Sequence, residues 1–378
     1  MGFLKMKPIK ILHTSDIHIG AQCSYLGSDA PVRRYEVLST FQKTVELCID
    51  RNIDLLIIAG DLFDSNRIEP SLINGVFSAL NSLKDTRVII AAGNHDPLTA
   101  DSPFLNRKLN DNIFVLDTSD SMLTFEDLGC RVYGASFDGV YCQGANRFSL
   151  KVPADDLFNL MVLHGEAKSD LSGNYRPITP EFVRHSGMDY IALGHVHEKS
   201  EIQYMGTTAI AYCGCPEGQG FDESGEKGVY IGEVSKGKID LEFLPIAKRN
   251  HYCLDVDITD CDDTQNAIKS VIEASDKNYQ MNYYRISLVG KRKGEKPIDT
   301  APLLASLSPL VAFLKIKDKT IAQANLDAIA TEKTLKGYFT ALMLSKIDTA
   351  TDEDRDKYIR ALHIGLNSFN GEVGFDED

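Results

Sequence analysis

Short runs of apolar residues rich in Ile, Val and Leu recur through the first half of the chain. Continuous apolar runs of this length are typical of strands buried on both faces, and ligands collect where such strands end. Five runs predict strands, at residues 9–12, 53–59, 88–92, 160–163 and 190–193. Between the first two runs, apolar positions recur at spacings of three and four, at Leu38, Phe41, Val45 and Cys48. This spacing predicts a helix over residues 31–51 with one buried face, and therefore a β-α-β unit at the start of the chain.

The rhythm changes after residue 194. Shorter segments at 201–205, 208–212, 228–234 and 239–244 are separated by Gly-rich turns, which predicts antiparallel strands and hairpins. A shift in composition near residues 245–250 places a domain boundary at about 247. We therefore expect an α/β domain over 1–247, a smaller α+β domain over 248–345, and a helical segment with an acidic tail over 346–378.

Composition narrows the class of protein. The 378 residues carry a formal charge of −14, with 43% hydrophobic and 25% charged residues, which are values of globular, soluble chains. The first residues lack the apolar core of a signal peptide and no apolar run is long enough to span a bilayer, so we expect a cytoplasmic protein without membrane association. The acidic balance argues against binding polyanions over the whole surface, but it leaves room for a local basic groove.

Five short polar motifs each follow a predicted strand. They are Asp16-Ile17-His18, Gly60-Asp61-Leu62-Phe63-Asp64, Gly93-Asn94-His95-Asp96, His164, and Gly194-His195-Val196-His197. Residues two apart on an extended segment point the same way, so Asp16 with His18 can converge on one site, as can His195 with His197. Oxygen and imidazole ligands without thiolates suit hard or borderline divalent cations. The number of ligands is too large for one ion and predicts two ions that share a carboxylate.

The order and spacing of these motifs resemble the calcineurin-like metallophosphoesterase superfamily over roughly residues 9–200. The resemblance implies a four-layer αββα sandwich with the ions at the strand ends and a smaller α+β capping domain. It implies that one ion is held by Asp16, His18, Asp61 and His197, and the other by Asp61, Asn94, His164 and His195. It also implies that His95 is the catalytic imidazole, with Asp96 placed to orient it. We expect Asp64 to steady His18 or a ligand loop rather than to bind an ion itself.

A narrower resemblance concerns the substrate. The segment 11–20, together with 60–64 and 192–197, is similar to the SbcD-type DNA repair exonucleases, and 215–228 resembles their YhaO-like bacterial branch. Protein Ser/Thr phosphatases carry Arg-Gly where this chain has Ser65-Asn66, and Glu where it has Asp96. These differences count against the phosphatase class. Archaeal and eukaryotic members of the nuclease family tend to carry His at the position of Asp64.

The resemblance implies a metal-dependent DNA phosphodiesterase, an exonuclease or endonuclease, with Mn²⁺ as the expected ion. Fe²⁺ and Zn²⁺ stay open because ligand softness overlaps among these ions. Two other functions stay open: a phosphodiesterase of small molecules or nucleotides, and a subunit that clamps DNA for an ATPase.

The densest basic cluster lies in the second half of the chain, at Lys291, Arg292, Lys293 and Lys296. Beside Tyr283 and Tyr284 this cluster could grip a phosphate backbone while the rings stack on a base, although an exposed hairpin turn explains it equally well. An amphipathic stretch from Leu335 onward resembles the YhaO C-terminal region and suggests docking of an SbcC-type ATPase. A homodimer is expected from the resemblance alone.

Overall fold

The computed structural model describes residues 7–105, 107–142, 152–292, 296–322 and 326–369. The chain divides into two compact units, Met1–Tyr252 and Cys253–Asp378. The boundary lies a few residues beyond the position expected from composition. A further division of the C-terminal part at residue 345 stays a prediction.

The first unit interleaves strands with helices. In chain order these are β1 (Ile9–Thr14), α1 (Ala30–Asp50), β2 (Leu55–Ala59), α2 (Pro70–Ser82), β3 (Arg87–Ala91), β4 (Ile113–Val115), β5 (Ser121–Phe125), β6 (Cys130–Ala135), β7 (Phe158–His164), α3 (Pro180–His185), β8 (Tyr190–Gly194), β9 (Gln203–Met205), β10 (Thr208–Tyr212), β11 (Gly228–Ser235) and β12 (Lys238–Pro245). One six-stranded sheet has the order β12-β11-β1-β2-β3-β4, and the other has the order β5-β6-β7-β8-β10-β9.

The five strands predicted from apolar runs are present as β1, β2, β3, β7 and β8, and the predicted helix is α1. One expectation about the later segments is wrong in part. β11 and β12 form the predicted antiparallel hairpin, but β10 pairs in parallel with β8 and antiparallel only with β9. The parallel pairing has no hairpin turn to signal it, because β8 and β10 are not consecutive strands and β9 lies between them along the chain.

Alternating residues of the central strands face different layers, as β2 illustrates. Leu56 and Ile58 pack in a cluster with residues of α1 and α2, whereas Leu55 and Ile57 pack against residues of β7 and β8 from the other sheet. The outer face of that second sheet packs against Val183 of α3. The layers therefore run helices, sheet, sheet, helix, which confirms the αββα sandwich.

The second unit is a mixture of helices and strands, as expected. Its elements, with the strand that leads into it, are β13 (His251–Asp257), α4 (Thr264–Ser275), β14 (Tyr283–Val289), β15 (Lys291–Arg292), α5 (Thr300–Leu307), β16 (Phe313–Asp318), β17 (Ile321–Ala322), α6 (Leu326–Ala330), α7 (Leu335–Thr349) and α8 (Asp352–Phe369). β13, β14 and β16 form a sheet, and β15 pairs with β17. Among the described helices, none combines the length and the apolar character needed to cross a membrane.

Candidate metal centre

The motif residues lie at the carboxyl ends of β1, β2, β3, β7 and β8 or in the loops that follow them. Four of them adopt a left-handed backbone that residues other than Gly rarely take: Asp16 (φ 52°), His18 (φ 48°), Asp61 (φ 51°) and His195 (φ 99°). The expectation that Asp16 and His18 converge by strand alternation is therefore wrong. They converge because a tight loop is held to its neighbour, with Asp16 N donating to Gly60 O at 3.0 Å and His18 N donating to Asp61 O at 3.0 Å.

Two glycines make this close packing of loops feasible. A Cβ atom at Gly60 would overlap the imidazole of His164, and a Cβ atom at Gly93 would overlap the carboxylate of Asp61. Gly60 also has a φ of 95°, which favours glycine in any case. The glycines that precede Asp61 and Asn94 in the motifs are thus needed for space around the site.

One cluster of potential ligand atoms lies at the carboxyl ends of β2, β3, β7 and β8. The Nε2 atom of His164 is 3.2 Å from Asp61 Oδ2 and 2.9 Å from Asn94 Oδ1. His195 Nδ1 lies 3.2 Å from the same Asn94 oxygen. This is the group expected to hold one ion.

A second cluster adjoins the first through Asp61. The Nε2 atoms of His18 and His197 face each other at 3.2 Å. His18 Nε2 is 3.6 Å from Asp61 Oδ2, and His197 Nε2 is 3.7 Å from Asp16 Oδ1. Asp61 borders both clusters, so its carboxylate occupies the position of a bridging ligand.

These residues fit a pair of divalent ions. Ligands about 2.1 Å from an ion are about 3 Å apart from one another, which is close to the separations found in both clusters. The donor set consists of carboxylates, an amide oxygen and imidazole nitrogens, with no thiolate among the seven side chains. The seven side chains predicted as ligands are thus brought together.

The outward nitrogen of each of these imidazoles has its own oxygen neighbour. His18 Nδ1 lies 3.3 Å from Asp64 Oδ1, and His164 Nδ1 lies 3.0 Å from Ala59 O. His197 Nδ1 is 2.5 Å from Glu223 Oε1, and His195 Nε2 is 3.6 Å from Glu166 Oε1. Hydrogen-bond partners select the tautomer that leaves the opposite nitrogen free to bind a metal, and the neighbours of His18, His164 and His197 are close enough to do so. Asp64 lies where a residue supporting His18 was expected.

His95 lies at the edge of the site, with 46% of its side chain exposed. Its backbone N–H donates to Asp61 Oδ1 at 2.9 Å, and its ring Nδ1 is 3.1 Å from the carbonyl oxygen of Asp64. Asp96 does not take the orienting role expected of it. Its carboxylate is buried and accepts backbone N–H groups from Gly93 at 2.7 Å and Phe63 at 3.0 Å, so it stabilises the loop rather than the imidazole.

Electrostatics favour a cation in the site. Burial lowers the pKa values of His18 and His164, but neighbouring carboxylates outweigh it and raise both to about 9. Burial raises the pKa of Asp61, yet His164 and His18 outweigh it and hold that pKa below its usual value. Without metal the imidazoles of His18 and His164 therefore carry protons that balance the buried carboxylates.

Sequence reasoning missed three residues beside the site, namely Glu166, Tyr175 and Glu223. Glu166 and Glu223 border an open cleft of about 610 Å³ together with His195 and His197. The ring of Tyr175 lies against His195, with 4.8 Å between their centroids. Glu166 follows a motif His by two residues, which is a weak signal, whereas Glu223 lies in the segment that resembled the YhaO-like branch without any residue role being evident.

The residues of the basic cluster in the second unit differ in their exposure to solvent. Lys291 and Lys296 are exposed, and Lys293 lies outside the described residues. Arg292 is buried and donates from Nη1 to the carbonyl oxygen of Thr320 at 2.6 Å, so its guanidinium is engaged within the unit.

The stacking role suggested for Tyr283 and Tyr284 is wrong, because their rings belong to the interior. Tyr283 is 6% exposed and Tyr284 is fully buried. Both residues lie on β14. The sequence could not predict their burial, because a Tyr side chain on a strand can face either the interior or the solvent.

Comparison with known proteins agrees with this geometry. The family described as calcineurin-like phosphoesterase matches residues 9–199, so the chain belongs to that family, whose members use a dinuclear metal centre. The expected resemblance to DNA repair nucleases and their YhaO-like branch is confirmed by homology to YhaO and to Mre11-type DNA repair nucleases.

Three relatives illustrate the range of that homology. The uncharacterized metallophosphoesterase YhaO of Bacillus subtilis is 27% identical over 246 residues, covering 62% of this chain and 60% of its own length. The DNA double-strand break repair protein Mre11 of Sulfolobus acidocaldarius is 24% identical over 380 residues, covering 92% of this chain and 96% of its own. Mre11 of Methanopyrus kandleri is 25% identical over 272 residues, covering 63% and 57%. This chain thus spans less than two thirds of the Bacillus relative.

Proposed function

We propose that this phosphoesterase is a metal-dependent DNA phosphodiesterase that acts as an exonuclease, an endonuclease or both. The observation that carries the proposal is the convergence of seven side chains in two clusters that both border Asp61, beside a half-exposed His95. DNA is the proposed substrate because the similarity to a DNA double-strand break repair protein extends over 92% of the chain and so includes the second unit.

Two bound divalent ions would supply an activated water and stabilise in-line attack on phosphorus. The remaining chemistry belongs to His95. Its Nδ1 faces the carbonyl oxygen of Asp64, which requires an N–H at that position and directs Nε2 away from the loop. We propose that the protonated ring donates from Nε2 to the departing 3′ oxygen. The backbone contact of His95 to Asp61 keeps the imidazole at the edge of the ligand clusters.

The test is degradation of end-labelled linear single- and double-stranded DNA with added Mn²⁺, comparing wild type with His95→Asn. The variant is expected to retain both ions, measured as metal content, and to lose cleavage by roughly two to four orders of magnitude, which is the usual contribution of a general acid. Parallel assays with Fe²⁺ and Zn²⁺ identify the preferred ion.

A small activated phosphodiester distinguishes the other functions. If wild type contains two ions and hydrolyses the small diester but leaves DNA intact, the protein is a small-molecule phosphodiesterase. If it hydrolyses neither, yet binds DNA, the clamping function replaces the catalytic one.

We also propose that the exposed part of the basic cluster binds the DNA backbone. Removing one cation that binds a phosphate reduces the slope of log affinity against log salt by about one. Lys291→Glu/Lys296→Glu should therefore weaken DNA binding and reduce this slope by about two. Lys269→Glu/Lys277→Glu makes the same charge change at other exposed positions and serves as the control. Equal slopes for the two variants would refute this assignment.

An ATPase is the proposed partner, and α7 is the proposed docking element. Leu335, Tyr338 and Leu342 are 75%, 69% and 57% exposed, and their spacings of three and four put them on one face of the helix. Leu342→Glu should abolish co-purification with an SbcC-type ATPase while sparing cleavage by the isolated protein. Homodimerisation stays a prediction.

A further inference from the structure

The four imidazoles of the proposed metal centre differ in how the fold restrains them. The side chains of His164 and His18 are 0% and 4% exposed, so the surrounding interior fixes their rings. His195 is 20% exposed and His197 is 30% exposed. His197 therefore depends more than the others on specific contacts for its orientation.

Those contacts come from one segment, residues 215–228. Glu223 Oε1 lies 2.5 Å from His197 Nδ1. The backbone carbonyl of His197 accepts from Lys227 Nζ at 3.0 Å and from Cys215 N at 3.2 Å. The segment thus contacts His197 at both its side chain and its main chain.

Glu223 is itself held in place. Its Oε2 atom accepts the backbone N–H of Gln219 at 2.7 Å and faces the Cys215 thiol at 3.5 Å. The Gln219 side chain in turn donates from Nε2 to Ile17 O at 3.3 Å, in the loop that carries Asp16 and His18. The carboxylate is therefore preorganised relative to both loops of the first cluster.

We propose that Glu223 is a positioning residue for the proposed metal centre. Its carboxylate accepts a hydrogen bond from Nδ1–H of His197. This hydrogen bond fixes the tautomer and directs the Nε2 lone pair toward Asp16 and His18. The inference rests on the proposed function, since it assigns Glu223 a role only if the clusters bind metal. Outer partners of this kind typically contribute 10- to 100-fold to metal affinity.

The experiment compares the full-length chain with Glu223→Ala, Glu223→Gln and Glu226→Gln. Mn²⁺ binding is measured by titration calorimetry, and the exchange-coupled signal of a dimanganese pair is followed by electron paramagnetic resonance. Glu226→Gln is the matched control because it removes an exposed carboxylate from the same segment. Thermal unfolding of every variant establishes that it is folded.

Glu223→Ala should weaken one of two Mn²⁺ binding steps by roughly 10- to 100-fold and reduce the coupled signal. Glu223→Gln should restore part of the affinity, because the amide oxygen still accepts from Nδ1. Glu226→Gln should match wild type. If Glu223 contributed to folding alone, its replacement would not selectively weaken the binding of one ion, and the Mn²⁺ affinities of the three variants would not follow this order.

Two results would overturn the proposal while wild type still binds metal. Unchanged affinities in both Glu223 variants, with two ions bound by wild type, would refute the role of Glu223 and leave the proposed function intact. A third ion bound per chain through His197, Cys215 and Glu223 would also overturn the proposal, because Nδ1 would then be a ligand. Absence of metal binding by wild type would instead refute the proposed function and this inference with it.

Discussion

Replacement of Arg33 by Met tests how the first unit is held together. The Arg33 side chain is fully buried on α1 and contacts the equally buried Glu217, with 2.8 Å between Nη1 and Oε1. Nη2 of the same guanidinium donates to Gly218 O at 2.7 Å. The pair therefore connects α1 to the segment that also contains Glu223.

The magnitude follows from the charge that the substitution leaves behind. Removing one partner of a buried ion pair typically costs about 3–5 kcal/mol, because the other charge remains buried without compensation. Glu217 would keep three donors, namely the hydroxyl of Thr40 at 2.5 Å and the backbone N–H groups of Lys248 at 2.7 Å and Arg249 at 3.1 Å. We therefore expect the lower end of the range, about 3 kcal/mol.

Urea unfolding followed by circular dichroism measures this loss. Arg33→Met should lower the free energy of unfolding of the first unit by about 3 kcal/mol. The double variant Arg33→Met/Glu217→Gln should lose less than the single variant, because a neutral amide does not require a counter-charge. Arg34→Met, at a neighbouring Arg whose contact to Gln22 is exposed, should change stability by about 0.5 kcal/mol or less.

Two outcomes would refute this reasoning. If Arg33→Met unfolds at the same urea concentration as Arg34→Met, the buried pair makes no net contribution. If Glu217→Gln destabilises the wild type and the Arg33→Met variant equally, the two charges are not coupled.

Two further predictions concern metal binding. Gly93→Ala should weaken Mn²⁺ binding by roughly tenfold or more, because the new methyl group displaces the shared Asp61 carboxylate. Gly139→Ala is the control, since a methyl group there meets open space and should leave Mn²⁺ affinity unchanged. Equal Mn²⁺ affinities of the two variants in calorimetry would contradict this prediction. Because the pKa values of His18 and His164 are raised to about 9, metal binding near pH 7 should release protons, and affinity should rise with pH up to about 9. Calorimetry in two buffers of different ionisation enthalpy should then give different heats, and identical heats would contradict the assignment.

Local pattern was sufficient for the elements that depend on short-range order. Continuous apolar runs predict β2 and β8, because strands buried on both faces need nonpolar residues at every position. The same reasoning predicts α1 from its repeat of apolar positions. The ligand types could also be predicted, since carboxylate, amide and imidazole groups after strand ends are the donors that divalent ions require. The resemblance, rather than periodicity, supplied the four-layer arrangement.

Tertiary structure decided which group each side chain contacts. Asp64 rather than Asp96 contacts the His95 ring, because the buried carboxylate of Asp96 is occupied by backbone N–H groups of Gly93 and Phe63. The same holds in the second unit, where Arg292 is buried against Thr320 although its neighbour Lys291 is exposed.

The support for His197 is the clearest case. Glu223 lies 26 residues away along the chain, and nothing in its immediate neighbours distinguishes it from the exposed Glu226. Composition and periodicity report which residues favour burial or a given backbone, and these preferences are local. Hydrogen-bond partners and the exposure of a charge depend on segments that only folding brings together, so the sequence determined the donors of the proposed site and the fold determined their orientation.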